Sequence, residues 1–122
     1  MTNTVSLTET EVEAQIPRAV GYKLLIAMPD VERTYASGIA KAETTVYQET
    51  VLSIVGVVVD MGEQAYKDPD RYPTGPWCKV GDYVIFRANS GTRIKANGKE
   101  YRFINDDTID GVVDDPRGLT RA

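Results

Sequence analysis

The chain has 122 residues, 42% of them apolar, and a net charge of −4, which allows one domain with a core of its own. Its Lys and Arg are dispersed and outnumbered by Asp and Glu, which disfavours a nucleic-acid partner. Histidine is absent and Cys78 is the sole cysteine. That removes the commonest general base, the commonest metal ligand, any internal disulfide and any multi-cysteine zinc site, so neither an enzyme nor a cofactor is expected.

Residues 1–16 are polar and acidic; Val12 and Ile16 share a helical spacing, but the composition reads as a frayed tail. There is neither a basic n-region with an apolar h-region nor an apolar run of about 18 residues, so no signal peptide or membrane span is expected and the location is cytoplasmic. Tyr22 to Met28, YKLLIAM, is a short apolar run between Gly21 and Pro29 and predicts a strand. Residues 30–50 then commit to neither helix nor strand, although TTVYQ, with Val46 and Tyr47, is compatible with a strand of its own. Val51 to Gly62, VLSIVGVVVDMG, is rich in β-branched residues and predicts a buried strand, with Gly56 marking a bulge or a close backbone approach.

The stretch EQAYKDPDRYPTGPW carries three prolines and a glycine and predicts a loop. Order returns over Lys79 to Arg87, where a Gly-Asp turn feeds a strand. TRIKA predicts a short strand, and Asn97-Gly98 a type I′ hairpin. KEYRFI alternates, with Tyr101 and Phe103 on one face and Arg102 on the other. NDDT turns the chain, IDGVV predicts a last strand, Pro116 stops pairing, and residues 116–122 form a tail. Short strands joined by turns, with no convincing helix, predict an all-β domain, a small barrel.

Several side-chain groups invite a chemical reading. Asp106, Thr108 and Asp110 alternate before Gly111 like a calcium loop, but the twelfth position is Arg117 instead of a bidentate Glu. Asp68 and Asp70 could face a cation, yet acid-proline loops are ordinarily solvated turns. Tyr66, Tyr72 and Trp77 cluster in the proline-rich loop, where they either stack on a ligand or close the loop against the barrel. Cys78 beside Trp77 reads as a small buried hydrophobe.

Taken in order, YKLLIAM, VERTYASGIAK, SIVGVVVDMG, KVGDYVIF, SGTRIK and NGKEYRFINDDTIDGVV resemble the small-subunit chaperonin (GroES) family, co-chaperonins that cap a double-ring chaperonin. The resemblance covers about residues 17–115 and is most specific over Val80 to Val113. The long AYKDPDRYPTGPWCKVGD loop looks like that of members encoded by bacteriophages, which would put the work in the host cytoplasm. The resemblance implies a small irregular β-barrel, with a mobile loop over about 30–50 and a roof loop over about 62–77. It also implies a homo-oligomeric ring of seven subunits. Leu24, Leu25 and Ile26 would meet Ile109, Val112 and Val113 of the next subunit, and such a ring closes open strand edges.

By the same resemblance, Ser37, Gly38, Ile39, Ala40 and Lys41 would dock on a nucleotide-bound ring of the large-subunit chaperonin, Ile39 being the anchor. The family often has three consecutive apolar residues here, whereas this chain has Ile39-Ala40-Lys41, so either the anchor is thinner or Val46 and Tyr47 add a second contact. A rival reading keeps the barrel but makes it an assembly module of a phage virion or similar structure. Neither reading involves nucleic acid or a membrane.

Overall fold

A computed structural model describes residues 13–29 and 53–122 of the chain. Six strands form one antiparallel sheet: β1 (Lys23–Ala27), β2 (Val55–Met61), β3 (Tyr83–Ile85), β4 (Thr92–Ala96), β5 (Lys99–Asn105) and β6 (Gly111–Val113). Their spatial order is β4-β5-β1-β2-β3-β6. A single 3-10 turn, Asp106–Thr108, interrupts the pattern between β5 and β6. The fold is all-β, as the spacing of apolar runs and turn residues predicts.

β1 and β2 lie at the centre of the sheet; β1 is buried on both faces, whereas β2 buries Val55 and Val58 and leaves Val59 exposed. Leu24 and Ile26 join Val58, Val84, Phe86 and Ile104 in the main cluster, which Ile109 and the proline-rich loop complete. Fully burying aliphatic side chains of this size contributes roughly 1.5–3 kcal/mol each. Leu25 points the opposite way yet is only 1% exposed. The reason is the segment before β1. Asp60 stands opposite Leu25 in the ladder, and its Oδ2 accepts the Ala19 amide at 2.8 Å. Further back, Ala14 exchanges two hydrogen bonds with the Asn97 side chain, 2.8 and 3.1 Å. Residues 14–19 thus run from the β4–β5 turn to β2 over the second face of the sheet, so that the chain is already fastened before Pro17.

Two turns carry their sequence signals into geometry. Asn97 and Gly98 have φ of 55° and 80°, the left-handed pair that a type I′ hairpin requires. Gly56 marks a close approach: a Cβ there would lie 2.3 Å from Ile26 Cγ2 and 3.0 Å from the Ala27 carbonyl oxygen. The bulge falls elsewhere, where the register slips between Leu25 and Ile26 and leaves Val59 outside the pairing.

Candidate functional site

Three regions bear on function: the roots of the 30–52 segment, the free edge of the sheet and the loop over residues 62–78. The proposed docking residues Ser37, Gly38, Ile39, Ala40 and Lys41, with Val46 and Tyr47, lie outside the described residues. Their roots do not. Met28 donates its amide to the Glu100 carbonyl at 3.0 Å, and Phe86 donates to the Ile54 carbonyl at 3.0 Å. The segment therefore leaves and re-enters the sheet at one end, beside β3 and β5.

The sheet edge is asymmetric. On one side β6 pairs only with β3, through Tyr83↔Val113, Val84↔Val112 and Ile85↔Gly111. Val84 is fully buried, whereas Val112, on the same side of the ladder, remains 44% exposed. Among the described residues no strand covers the outer edge of β6. Val112 and Val113 thus lie on an edge strand paired on one side only. Ile109 is buried in the chain's own core. Leu24, Leu25 and Ile26 differ from the expectation for a subunit contact. β1 is paired on both sides, by β2 and by β5, and all three side chains are consumed inside the chain. Neither their apolar surface nor their backbone edge is free to meet a neighbour. The exposed apolar residues just upstream of β1 are Ile16, Val20 and Tyr22.

The proline-rich loop is closed by aromatic packing, one of the two readings open from sequence. Tyr66 and Tyr72 are buried with ring centroids 4.9 Å apart, edge to face, and Trp77 packs on both at 5.7 and 5.1 Å. Beneath them sits Asp106, 2% exposed. Its Oδ1 accepts the Tyr72 hydroxyl at 2.8 Å and its Oδ2 accepts the Tyr66 amide at 3.0 Å. Tyr66 holds φ of 60°, a left-handed conformation that a bulky residue rarely adopts, and its hydroxyl shares a 3.5 Å hydrogen bond with the buried Cys78 thiol. Burial, with the Asp106 hydrogen bond second, pushes the Tyr72 phenol up to about 12. Burial also raises the Tyr66 phenol and the Cys78 thiol, keeping both neutral.

The same contacts decide the other acidic groups. Asp106 is turned inward as a loop anchor, so the calcium-like spacing it begins is a structural turn. Asp68 accepts the Asp70 amide at 2.9 Å, closing an ordinary Asx turn. Among the described residues no cluster of three or more acidic or Cys side chains could hold a metal ion. Sequence reasoning missed Arg102, which is 2% exposed and the largest fully buried side chain. Its Nε bonds Glu100 Oε2 at 3.0 Å, and Nη1 donates to the Ala88 carbonyl.

The described residues thus form an open-edged antiparallel sheet with a loop stapled over one end and the roots of residues 30–52 at the other. Residues 17–113 match the model of the family described as the chaperonin 10 kDa subunit, and the chain belongs to that family. Similar proteins include the co-chaperonin GroES of Bacillus sp. strain PS3, 30% identical over 100 residues, spanning 79% of this chain and 97% of the relative. The co-chaperonin GroES of Geobacillus stearothermophilus is 29% identical over the same shares of both chains. That of Corynebacterium diphtheriae is 29% identical over 92 residues, 75% of this chain and 88% of the relative.

Proposed function

We propose that the protein is a co-chaperonin that assembles into a ring, binds one end of a double-ring, ATP-driven chaperonin and closes its folding chamber, without chemistry of its own. The observation that carries this reading is the family match over nearly the whole described chain. Relatives that are themselves co-chaperonins favour it over a virion assembly role.

The barrel spans residues 17–115, with the docking loop over 30–50, the roof loop over 62–77 and a tail after residue 115. Docking is carried by Ser37 to Lys41, with Ile39 entering an apolar groove of the large subunit while Ser37 and Gly38 let the backbone turn. Burying one isoleucine contributes about 2–3 kcal/mol, and ordering the loop offsets much of it. Seven such contacts held in one ring bind firmly through effective concentration. A nucleotide-driven change in the large ring can then release them together.

The ring itself is closed through the free edge of β6, where Val112 and Val113 meet the neighbour. On the neighbour's side the exposed Ile16 and Val20 supply apolar surface, while Leu24, Leu25 and Ile26 serve the subunit's own sheet and core. The setting is the cytoplasm. Co-sedimentation of the full chain with a purified double-ring chaperonin, with and without ATP or ADP, tests the proposal beside Ile39→Asp. Nucleotide-dependent binding that the substitution abolishes is expected. A chain that forms rings but does not bind would overturn the co-chaperonin reading.

A further inference from the structure

A guanidinium buried to 2% exposure needs a reason, because an apolar side chain of similar length would fill the same space without desolvating a charge. Arg102 lies opposite Ile26 in one ladder and opposite Arg93 in the other, at the end of the sheet where the 30–52 segment is rooted. Its contacts lead to both roots. One arm holds the Glu100 carboxylate, 3.0 Å from Nε, and the Glu100 backbone carbonyl receives the Met28 amide. The other arm holds the Ala88 carbonyl, while its guanidinium carbon lies 5.9 Å from the centre of the Phe86 ring. Phe86 in turn donates its amide to the Ile54 carbonyl. Arg93 shares the same Glu100 oxygen at 3.3 Å, so the carboxylate is fixed from two sides.

We propose that Arg102 is a positioning residue: it ties β5 to the 87–91 turn and thereby holds the two roots of the 30–52 segment, Met28 and Ile54, in fixed relation. A planar fork with donors in several directions can serve both roots at once, which neither a methyl-terminated chain nor a single ammonium can do. The consequence for docking rests on the function proposed above. Fixed roots present the docking residues from one place on the barrel, so Arg102 strengthens docking without touching the partner.

Amide hydrogen exchange on the full chain reads this directly at Met28 and Phe86, the two root donors. Gly62, bonded to the Lys23 carbonyl, and Gly81, bonded to the Val58 carbonyl, serve as internal controls away from the roots. In Arg102→Met, exchange at Met28 and Phe86 is expected to quicken about tenfold while the two controls stay within about twofold. Arg102→Lys, which can reach one arm's partner but not both, should fall between. Chaperonin affinity should drop about tenfold in Arg102→Met.

A uniform rise at all four amides would overturn the inference, making Arg102 a plain stability element. No rise at the roots would overturn it as well. If Arg102→Met does not fold, the same comparison in Arg102→Lys decides. Should the unaltered chain fail to bind a chaperonin, the functional reading falls, yet the four amides still decide the clamp.

Discussion

The Tyr72 hydroxyl donates a 2.8 Å hydrogen bond to Oδ1 of Asp106, joining a proline-rich loop to the turn that follows β5 across 34 positions of sequence. Both partners are buried, so the bond is shielded from competing water. Tyr72→Phe leaves the ring packing in place but strands a carboxylate oxygen. It should cost about 2 kcal/mol, typical of a hydrogen bond to a charged group. Urea titration of the two proteins checks this, with equal midpoints as the contrary result.

Burial of the Tyr72 phenol, with this bond second, gives the loop a pH limit. The Tyr72 phenol lies at about 12 in the folded chain, above its ordinary 10. A raised folded value means the native state holds its proton more tightly than the unfolded chain. The contribution is therefore complete below pH 10 and is lost as pH rises from 10 towards 12. Burial moves Tyr66 in the same direction. Ultraviolet difference absorbance should show these two phenols ionising above the ordinary phenol value, together with loss of the near-ultraviolet circular dichroism of Trp77.

Gly56 tests the packing of β2 on β1. A Cβ placed 2.3 Å from Ile26 Cγ2 forces a backbone shift, because the Ala27 carbonyl closes the other side at 3.0 Å. Gly56→Ala should destabilise the chain by about 1–3 kcal/mol, the usual range for overpacking, despite alanine's better intrinsic conformational entropy. Thermal melts read the difference.

Val112 and Ile109 separate assembly from folding. Val112 is 44% exposed on the sheet edge, whereas Ile109 is buried in the core. Val112→Lys should leave the melting of the isolated chain nearly unchanged and abolish the ring. Ile109→Ala should lower stability by about 2–5 kcal/mol, as large-to-small core changes do. Sedimentation velocity alongside denaturant titration distinguishes the two, and a Val112→Lys chain that still forms rings would move the interface elsewhere.

Local chemistry made much of this fold legible. The strand runs, the Asn97-Gly98 turn and the tight place at Gly56 follow from residue types whose backbone preferences are short-ranged. Strand order does not. That β1 lies between β2 and β5 depends on non-local pairing, and the resemblance alone suggests a subunit contact for Leu24, Leu25 and Ile26, which the chain buries in its own sheet. Alternation in β5 separates Arg102 from Tyr101 and Phe103, but it cannot say which side faces the core when the inward residue is an arginine. Only the partners at Glu100 and Ala88 make that burial tolerable, one from β5 itself and the other from the turn after β3. Asp106 shows the same limit. Arg117 in the twelfth position argues against a calcium loop, but that Tyr66 and Tyr72, distant in sequence, take both Asp106 oxygens depends on non-local packing.

The central claim is that this chain, as a ring, caps a large-subunit chaperonin. Native mass spectrometry of the two purified proteins mixed with ADP measures it most directly, because the mass counts the copies in the complex. The account predicts a species heavier than the chaperonin by one complete ring of this chain, seven copies, which is absent without nucleotide and absent with Ile39→Asp. A spectrum holding only the free chaperonin and free rings of this chain, whatever the nucleotide, would contradict it.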